Sequence, residues 1–420
     1  METLNFAFKD KKIRKGILFT LLMLLLYRIG VNVPVFGIDR SVLSYLYEDN
    51  QGLFDIYSIL SGGSFKDMTF FSMGVSPYIT GSIVIQLLGI AYPGIMNMAR
   101  DDKKRYERIT IILGIVLAFL QAVGITFGMF RKAVIGGGFL MMALVITQLV
   151  IGASLLILIG KAIDEKGIGN GISLILFTGI VSRLVSSGIS IYTRVLEGAL
   201  SYIGLGLFLL LALLMVLGIV YVQEGVRKVP VNYAGRVEGL KKYRGQKTFI
   251  PIKVNPNGVL PIIFALTVIQ FPVTISYFFP GSRYTEILNK YLSVSSSLGF
   301  YIYLLLDVAL IFFFSYFYSE ISFNPVEIAN NLRRSGGTLI GTRPGRDTVE
   351  KLSRVSKRLC IFGAIFLTIV ATTPLLVTHF GNMNVSLGGT SMIIAVGVAI
   401  DLMEKLKEQV LLKKEYHFLV

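Results

Sequence analysis

The sequence predicts an all-helical (all-α), polytopic membrane protein with ten transmembrane helices. Hydrophobic residues make up 54% of the chain and its mean hydropathy is +0.69, although its net charge is +16. A helix that crosses the hydrocarbon of a bilayer needs about 20 mostly apolar residues. Ten stretches meet this requirement, at about residues 17–36, 72–92, 109–130, 139–160, 171–187, 202–222, 257–279, 298–318, 359–378 and 386–403.

Basic residues alternate between the two sides of the predicted membrane. Of the 41 Lys and Arg residues, 32 fall in the N-terminal arm, the C-terminal tail and every second loop. Cytoplasmic loops near membrane spans are enriched in Lys and Arg. We therefore expect a multi-pass protein of the bacterial cytoplasmic (inner) membrane with both termini in the cytoplasm. The outer loops hold only Arg40, Lys66, Arg131, Lys132, Arg194, Arg283 and Lys290.

Side chains that carry catalysis or bind metals are scarce. The single cysteine, Cys360, lies in the ninth predicted span, and the two histidines, His379 and His417, lie in an outer loop and in the tail. A zinc site or a nucleophile–base pair needs several such residues that converge from rigid elements. We expect a protein that is not an enzyme and has no catalytic residue, metal or cofactor.

Asp307 in the eighth predicted span and Asp401 near the end of the tenth are the main acidic residues inside spans. Asp401 lies one turn from Glu404 and Lys405, which favours an ordinary solvated helix face. A charge within the membrane points to a function such as ion or proton relay. A secondary transporter with inverted repeats would also need a substrate pocket near the midplane, for which one carboxylate gives little support. That transporter is kept as the alternative function.

The first outer loop contains a short apolar segment at about residues 52–64. Its apolar residues recur at helical spacing, but about two turns are far too short to span a membrane. From the residues alone, an interfacial helix and a re-entrant segment are equally good interpretations. The residues concerned are Leu53, Phe54, Ile56, Tyr57, Leu60, Gly62 and Gly63.

Two cytoplasmic loops, at about residues 223–255 and 319–357, are longer than topology requires. Most connections between elements take about 4–6 residues, whereas these loops also interleave basic residues with tyrosine and glycine. A docking surface for an acidic protein or an RNA backbone accounts for them better than topology alone. The candidate docking residues are Arg236, Lys241, Lys242, Arg244 and Arg343.

Several short motifs occur in the predicted spans and in the loops between them. In chain order they are residues 76–79, 85–86, 167–173, 254–255, 258–265, 324–332, 343–345 and 388–391. On these motifs the chain resembles the SecY family, the main channel subunit of the bacterial Sec protein translocase, over essentially its whole length. It departs from the family pattern at residues 339–342, which precede Arg343.

The resemblance implies two pseudo-symmetric inverted halves around a central pore. Residues 1–190 would hold spans one to five with a plug helix at about 52–64, and residues 191–420 would hold spans six to ten with both long loops. The implied function is a protein-conducting channel that moves unfolded secretory polypeptides across the membrane. The same channel would release signal or transmembrane helices sideways into lipid.

The resemblance also assigns roles to particular residues. The implied plug is the 52–64 segment, and Gln121 and Asn255 would be polar residues of a lateral gate between spans two and seven. The implied pore ring consists of Ile79, Ile83, Ile172, Leu176, Ile263 and Ile394. A ring of aliphatic side chains blocks ions by excluding water.

The family further implies partners that this sequence alone does not show. They are the small membrane subunits SecE and SecG, the motor ATPase SecA, the ribosome, secretory and membrane-protein substrates, and anionic lipids. SecA or a translating ribosome would supply the energy, because the chain itself is expected to carry no catalytic site.

Overall fold

The structure is a computed structural model that describes residues 9–43, 68–197, 202–233, 237–238, 241–242, 247–256, 258–279, 281–292, 296–381 and 389–419. Its helices within these ranges are α1 (Lys11–Val31), α2 (Ser76–Ala91), α3 (Pro93–Asp101), α4 (Lys103–Gly124), α5 (Phe139–Lys166), α6 (Gly171–Leu196), α7 (Tyr202–Glu224), α8 (Leu260–Ser276), α9 (Arg283–Leu292), α10 (Ser297–Ser322), α11 (Pro325–Arg334), α12 (Arg346–Gly381) and α13 (Gly389–Leu419).

Each of the ten predicted spans coincides with one long helix, whereas α3, α9 and α11 lie between spans. In the part of the chain that the structure describes, five helical stretches are long and apolar enough to cross a membrane: Lys103–Gly128, Phe139–Lys166, Gly204–Glu224, Leu298–Arg334 and Arg346–Val377. The helices also extend beyond the apolar stretches. Hydropathy marks the part of a helix that lies in lipid, and the polar turns that continue it into water carry no such signal.

A small antiparallel sheet interrupts the helical pattern after α7. Its strands are β1 (Val226–Tyr233), β4 (Lys247–Lys253) and β5 (Gly337–Leu339), in the order β4-β1-β5. A two-residue pair, β2 (Val237–Glu238) with β3 (Lys241–Lys242), lies between β1 and β4 in the chain. The predicted long loops therefore contain regular structure that the sequence analysis did not foresee.

The structure forms two compact units. The first comprises residues 1–200, 266–306 and 385–420, and the second comprises residues 201–265 and 307–384. The units interleave along the chain, so each is described by itself. The division into halves at residues 190 and 191 stays a prediction.

The apolar core of the first unit lies where α4 and α5 meet the connections that follow α1 and α4. It includes Val35 and Ile38 from the segment after α1, together with Val145 and Leu149 of α5. Ala118 and Ala122 of α4 are fully buried in the same core. The connection after α1 is therefore packed onto the helices.

Glycines allow close helix approach in the first unit. A Cβ atom at Gly81 of α2 would lie 3.1 Å from the Gly114 nitrogen of α4. A Cβ atom at Gly171 would lie 2.0 Å from the Gly160 carbonyl oxygen of α5, a distance that no side chain tolerates. Small residues at helix contacts let backbones approach closely enough for van der Waals packing to hold helices together in lipid.

The turn between α5 and α6 shows why residues 167–171 are mostly glycine. Gly169 has a φ of +99°, which favours glycine. The Asn170 side chain accepts a hydrogen bond from the Ser173 N–H at 3.1 Å and caps α6. The Thr20 hydroxyl accepts one from the Ile168 N–H at 2.9 Å. The turn thus fixes the start of α6 against α1 and α5.

The second unit contains a small core beneath the sheet. Its buried residues come from all three strands, from α11 and from the start of α12: Val229, Val231, Ile252, Leu332, Leu339 and Leu352. The β4 strand lies at an edge of the sheet and contains Pro251. The two long loops predicted from the sequence therefore meet in one folded subdomain.

The close approach of Gly171 to Gly160 can be tested by adding one methyl group. We expect Gly171→Ala to destabilise the protein by about 1–3 kcal/mol, because the new Cβ must displace a backbone carbonyl. Gly188→Ala in the same helix is the matched control, since nothing lies within 4 Å of its Cβ position. Thermal unfolding in detergent measures the stability of both variants. Equal stability of the two variants would contradict the packing described here.

Candidate functional site

The residues expected to form the pore ring are distributed over four helices. Ile79 and Ile83 lie on α2, Leu176 on α6, and Ile394 on α13, all in the first unit. Their side chains are buried, with Ile394 only 1% exposed. Ile263 of α8 is also buried and belongs to the second unit. The two α2 residues are four apart and therefore stack on one helix face.

Ile172 differs from the other expected ring residues because it is only partly buried. Its Cδ1 atom would lie 2.7 Å from a Cβ at Gly160, so the side chain reaches towards α5. In this structure Ile172 therefore fills the gap that Gly160 leaves in α5.

A hydrogen bond joins α2 and α8, the helices of predicted spans two and seven. The Ser76 hydroxyl donates to the Gln270 Oε1 atom at 3.2 Å, and both side chains are almost fully buried. The Gln270 Nε2 atom has no hydrogen-bond partner within the described ranges. Because lipid offers no replacement partner, this bond stabilises contact between the two helices.

The two residues expected at the lateral gate occupy different places. Gln121 is buried in α4 of the first unit, and its Oε1 atom accepts no hydrogen bond from the part of the chain that the structure describes. The Asn255 side chain lies in the second unit and donates to the Gly258 carbonyl at 2.9 Å. Gln121 and Asn255 remain predicted gate residues.

The C-terminal end of α8 is held by the amphipathic helix α9. The Tyr284 hydroxyl donates to the Pro272 carbonyl at 3.0 Å, and the Thr285 hydroxyl donates to the Phe279 carbonyl at 2.8 Å. Burial raises the pKa of Tyr284, so the phenol stays protonated as this bond requires. These bonds tie α9 to the last turns of α8 and to the segment that follows it.

Asp307 is fully buried in α10. Neither of its carboxylate oxygens accepts a hydrogen bond from a residue in the described ranges. The predicted plug, Leu53 to Gly63 with its flanking residues, lies outside the described residues.

Of the expected docking residues, Arg343 has the most informative surroundings. It is exposed in the turn between β5 and α12, and glycines with positive φ, Gly341 and Gly345, lie on either side. The Thr348 hydroxyl donates to the Arg343 carbonyl at 3.0 Å and fixes the turn. Lys241 and Lys242 form strand β3, whereas Arg236 and Arg244 lie outside the described residues.

Comparison with known proteins identifies the family. The SecY family model matches residues 69–403. The protein translocase subunit SecY of Aquifex aeolicus (strain VF5) is 38% identical over 430 residues, covering 99% of this chain and 98% of that protein. The chain belongs to the SecY family. Another SecY subunit, that of Staphylococcus carnosus (strain TM300), is 35% identical with the same coverage.

Solved structures share the fold of this SecY-family chain. A structure of a protein-conducting channel superimposes with a TM-score of 0.69 at 19% identity, covering 95% of this chain and 93% of that chain. Sec61 in the canine ribosome–channel complex from the endoplasmic reticulum gives 0.65 at 18% identity, with coverages of 95% and 93%. The predicted helical membrane class and the SecY resemblance are confirmed, and the transporter alternative gains no support.

Two features of the site were not predicted from the sequence. The Ser76–Gln270 bond joins residues 194 positions apart, so no local pattern reveals it. A glutamine within the apolar run of α8 was nevertheless a usable signal, because a buried amide in lipid needs a partner. The Tyr284 contact carries no comparable signal, since α9 resembles an ordinary amphipathic surface helix in sequence.

The Ser76–Gln270 bond predicts a measurable coupling between α2 and α8. A double-mutant cycle with Ser76→Ala and Gln270→Leu should give an interaction free energy of about 0.6 kcal/mol, the average for such bonds in membrane proteins. Ser276→Ala is the matched control, because among the described residues the Ser276 hydroxyl bonds only to the Val273 carbonyl of its own helix. Additive effects of Ser76→Ala and Gln270→Leu would show that the bond contributes nothing.

Proposed function

We propose that this chain is the protein-conducting channel of a Sec-type translocase. It would pass unfolded secretory polypeptides across the membrane and release hydrophobic helices sideways into lipid. The observation that carries the proposal is the match to protein translocase subunit SecY over 99% of the chain. The common fold with a protein-conducting channel supports it.

The seal of this channel would be made by aliphatic side chains. Ile79, Ile83, Ile172, Leu176, Ile263 and Ile394 form the proposed ring, and the burial of most of them supports a closed, dry constriction. Water leaves a narrow aliphatic passage readily, so such a ring blocks ions without any charged filter. The segment at residues 52–64 is the proposed plug of the ring.

The lateral gate would open along the seam between α2 and α8. The Ser76–Gln270 bond supports this assignment, since one buried polar contact can hold the two helices together and can be exchanged for others on opening. A hydrophobic signal helix would supply the opening free energy by binding only the separated state. Gln121 and Asn255 would stabilise the same gate in other states.

The energy for transport would come from partners that bind the cytoplasmic subdomain. We assign SecA and the ribosome to the surface that carries Arg343 and the β2–β3 pair. Structural neighbours include Sec61 and yeast Ssh1 channels in ribosome complexes, which supports the ribosome. SecE and SecG are the proposed membrane subunits, and anionic lipids are proposed to contact the basic cytoplasmic loops.

The proposed location is the bacterial cytoplasmic membrane with both termini inside the cell. The alternation of basic loops supports this orientation. We retain the two inverted halves, residues 1–190 and 191–420, as the proposed architecture around the pore.

Reconstitution tests the function directly. Vesicles that contain the purified chain, SecE, SecG and SecA should protect a secretory precursor from external protease when ATP is added. Vesicles without this chain are the control. Precursor that stays protease-sensitive would reject the channel, and uptake of a small solute instead would favour the transporter.

The proposed seal predicts that Ile394→Asn opens the channel to ions. An amide buried without a partner costs about 1–3 kcal/mol, and about 1.4 kcal/mol changes an equilibrium tenfold. The closed state should therefore lose roughly tenfold in population relative to a wetted state. Conductance of reconstituted channels in planar bilayers measures this leak.

Ile393→Asn is the matched control for that prediction. Ile393 is as fully buried as its neighbour, but it points about 100° away around the helix. The Ile393→Asn substitution should destabilise the protein about as much as Ile394→Asn does, without raising ion conductance. Equal leak from the two variants would remove Ile394 from the seal.

The proposed docking role predicts that Arg343→Glu stops SecA-driven transport while the protein still folds. Surface substitutions usually change stability by no more than about 0.5 kcal/mol, whereas reversal of a contact charge removes charge-assisted hydrogen bonds to the partner. Lys104→Glu is the control, since this exposed basic residue lies on α4 outside the subdomain. The rate of SecA-driven transport is measured by the protection of a precursor from protease. Normal transport by Arg343→Glu would exclude the role.

A further inference from the structure

The connections at the outer ends of α1, α4 and α5 form a rigid platform that we term the outer cap, residues 33–41 and 130–140. The Asp39 N–H donates to the Ala133 carbonyl at 2.8 Å, and the Ile135 N–H donates to the Gly37 carbonyl at 2.9 Å. These bonds form a short antiparallel ladder in which Ile38 is paired with Val134.

The outer cap is fixed to the helices beneath it. The Gln148 side chain of α5 accepts from the Phe36 N–H at 3.0 Å and donates to the Phe36 carbonyl at 3.1 Å. Val35 and Ile38 are buried in the core of the first unit. The backbone from which the exposed side chains of the cap project is therefore anchored to the first unit.

Three basic residues lie at one end of this ladder. Arg40 directly follows Asp39, and the pair Arg131 and Lys132 directly precedes Ala133. All three are exposed. Within the described ranges, no carboxylate lies within ion-pair distance of them.

The one acidic residue of the cap is already engaged. The Asp39 carboxylate accepts hydrogen bonds from the Ser41 N–H at 2.9 Å and from the Ser41 hydroxyl at 2.6 Å. These bonds lower the pKa of Asp39, with the Ser41 side chain as the largest cause. The Asp39 carboxylate thus accepts hydrogen bonds from Ser41. With one acidic and three basic residues, the cap has a net positive charge.

Apolar side chains occupy the other end of the ladder and the start of α5. Phe36 is 69% exposed, Ile135 55%, Phe139 78% and Leu140 84%. Such large apolar side chains at a membrane surface insert among lipid chains just below the headgroups. The cap therefore carries cations at one end of the ladder and exposed apolar groups at the other.

The charge on the cap is unusual for its side of the membrane. Basic residues are depleted from outer loops, and only seven of the 41 fall there in this sequence. Three of those seven meet on the outer cap. A phosphate that accepts hydrogen bonds from them would balance this charge.

We propose that the outer cap is a binding site for an anionic phospholipid of the outer leaflet. Arg40, Arg131 and Lys132 hold the headgroup phosphate, and Phe36, Ile135 and Phe139 contact the acyl chains. The site rests on the membrane orientation proposed above and not on protein transport.

Fluorescence quenching in nanodiscs tests the site. A fluorophore on Gly138→Cys, in a Cys360→Ala background, reports from the cap, because nothing lies within 4 Å of the Gly138 Cβ position. Nitroxide-labelled phosphatidylglycerol and phosphatidylcholine are the quenchers. We expect phosphatidylglycerol to reach half-maximal quenching at a mole fraction at least tenfold lower than phosphatidylcholine does.

Charge neutralisation identifies the residues responsible. Each basic residue near an anionic lipid surface contributes roughly fivefold to binding, so R40Q/R131Q/K132Q should abolish the preference. The matched control is R283Q/K290Q, which removes two outer cations from α9 instead, and it should retain the preference.

Three outcomes would overturn the proposal. They are equal quenching by the two lipids in the parent, a preference that survives the triple variant, and displacement of labelled phosphatidylglycerol by soluble polyglutamate. The last result would assign the outer cap to an acidic polypeptide. Thermal unfolding shows whether the triple variant is folded. If it is not, the preference for phosphatidylglycerol is measured on the single variants R40Q and K132Q, and each should reduce it.

Discussion

The inability of hydrocarbon to form hydrogen bonds governs this structure. Every backbone N–H and carbonyl that lies in hydrocarbon must find a partner within the protein. In the α5–α6 turn, Thr20 and Asn170 supply such partners to the Ile168 and Ser173 N–H groups. Threonines inside helices obey the same constraint, since Thr80 donates to the Ser76 carbonyl of its own helix.

The same constraint makes the few contacts between polar side chains consequential. In water, a serine that loses a glutamine partner bonds to solvent at little cost. In lipid, the separation of α2 from α8 leaves both groups without a partner unless an incoming helix or water replaces it. Contact between α2 and α8 is therefore easily broken when water or a polar group replaces the lost partner, but not when lipid does. This property suits the proposed lateral gate.

The sequence predicted those features that each arise from a local physical signal. All ten spans coincide with helices, because burial in lipid demands a long apolar run wherever it occurs. Arg343 was expected at a loop tip, and the glycines beside it adopt the left-handed conformations that make such a tip. The identity of the ring residues came from resemblance to a family, because aliphatic residues in a span look alike whether they face a pore, a neighbour or lipid.

The features that the sequence analysis missed depend on distant residues. Strand β1 contains Pro230, which normally argues against a central strand, yet Pro230 lies where only β4 pairs with it. The core of the folded subdomain joins residues from Val229 to Leu352. Ile172 stays a predicted ring residue, and its contact with α5 depends on the missing side chain at Gly160. Each case is decided by a tertiary neighbour.

The position of Pro251 in the edge strand β4 has a consequence for a protein that handles unfolded chains. An open strand edge is a template onto which any extended polypeptide can add as a further strand. A substrate held in that way would stall outside the pore. Proline removes one of the donors that such pairing needs, and the lysines that begin and end β4 disfavour close approach of a second strand. The edge of this sheet is thus protected from pairing with the polypeptides that the channel transports.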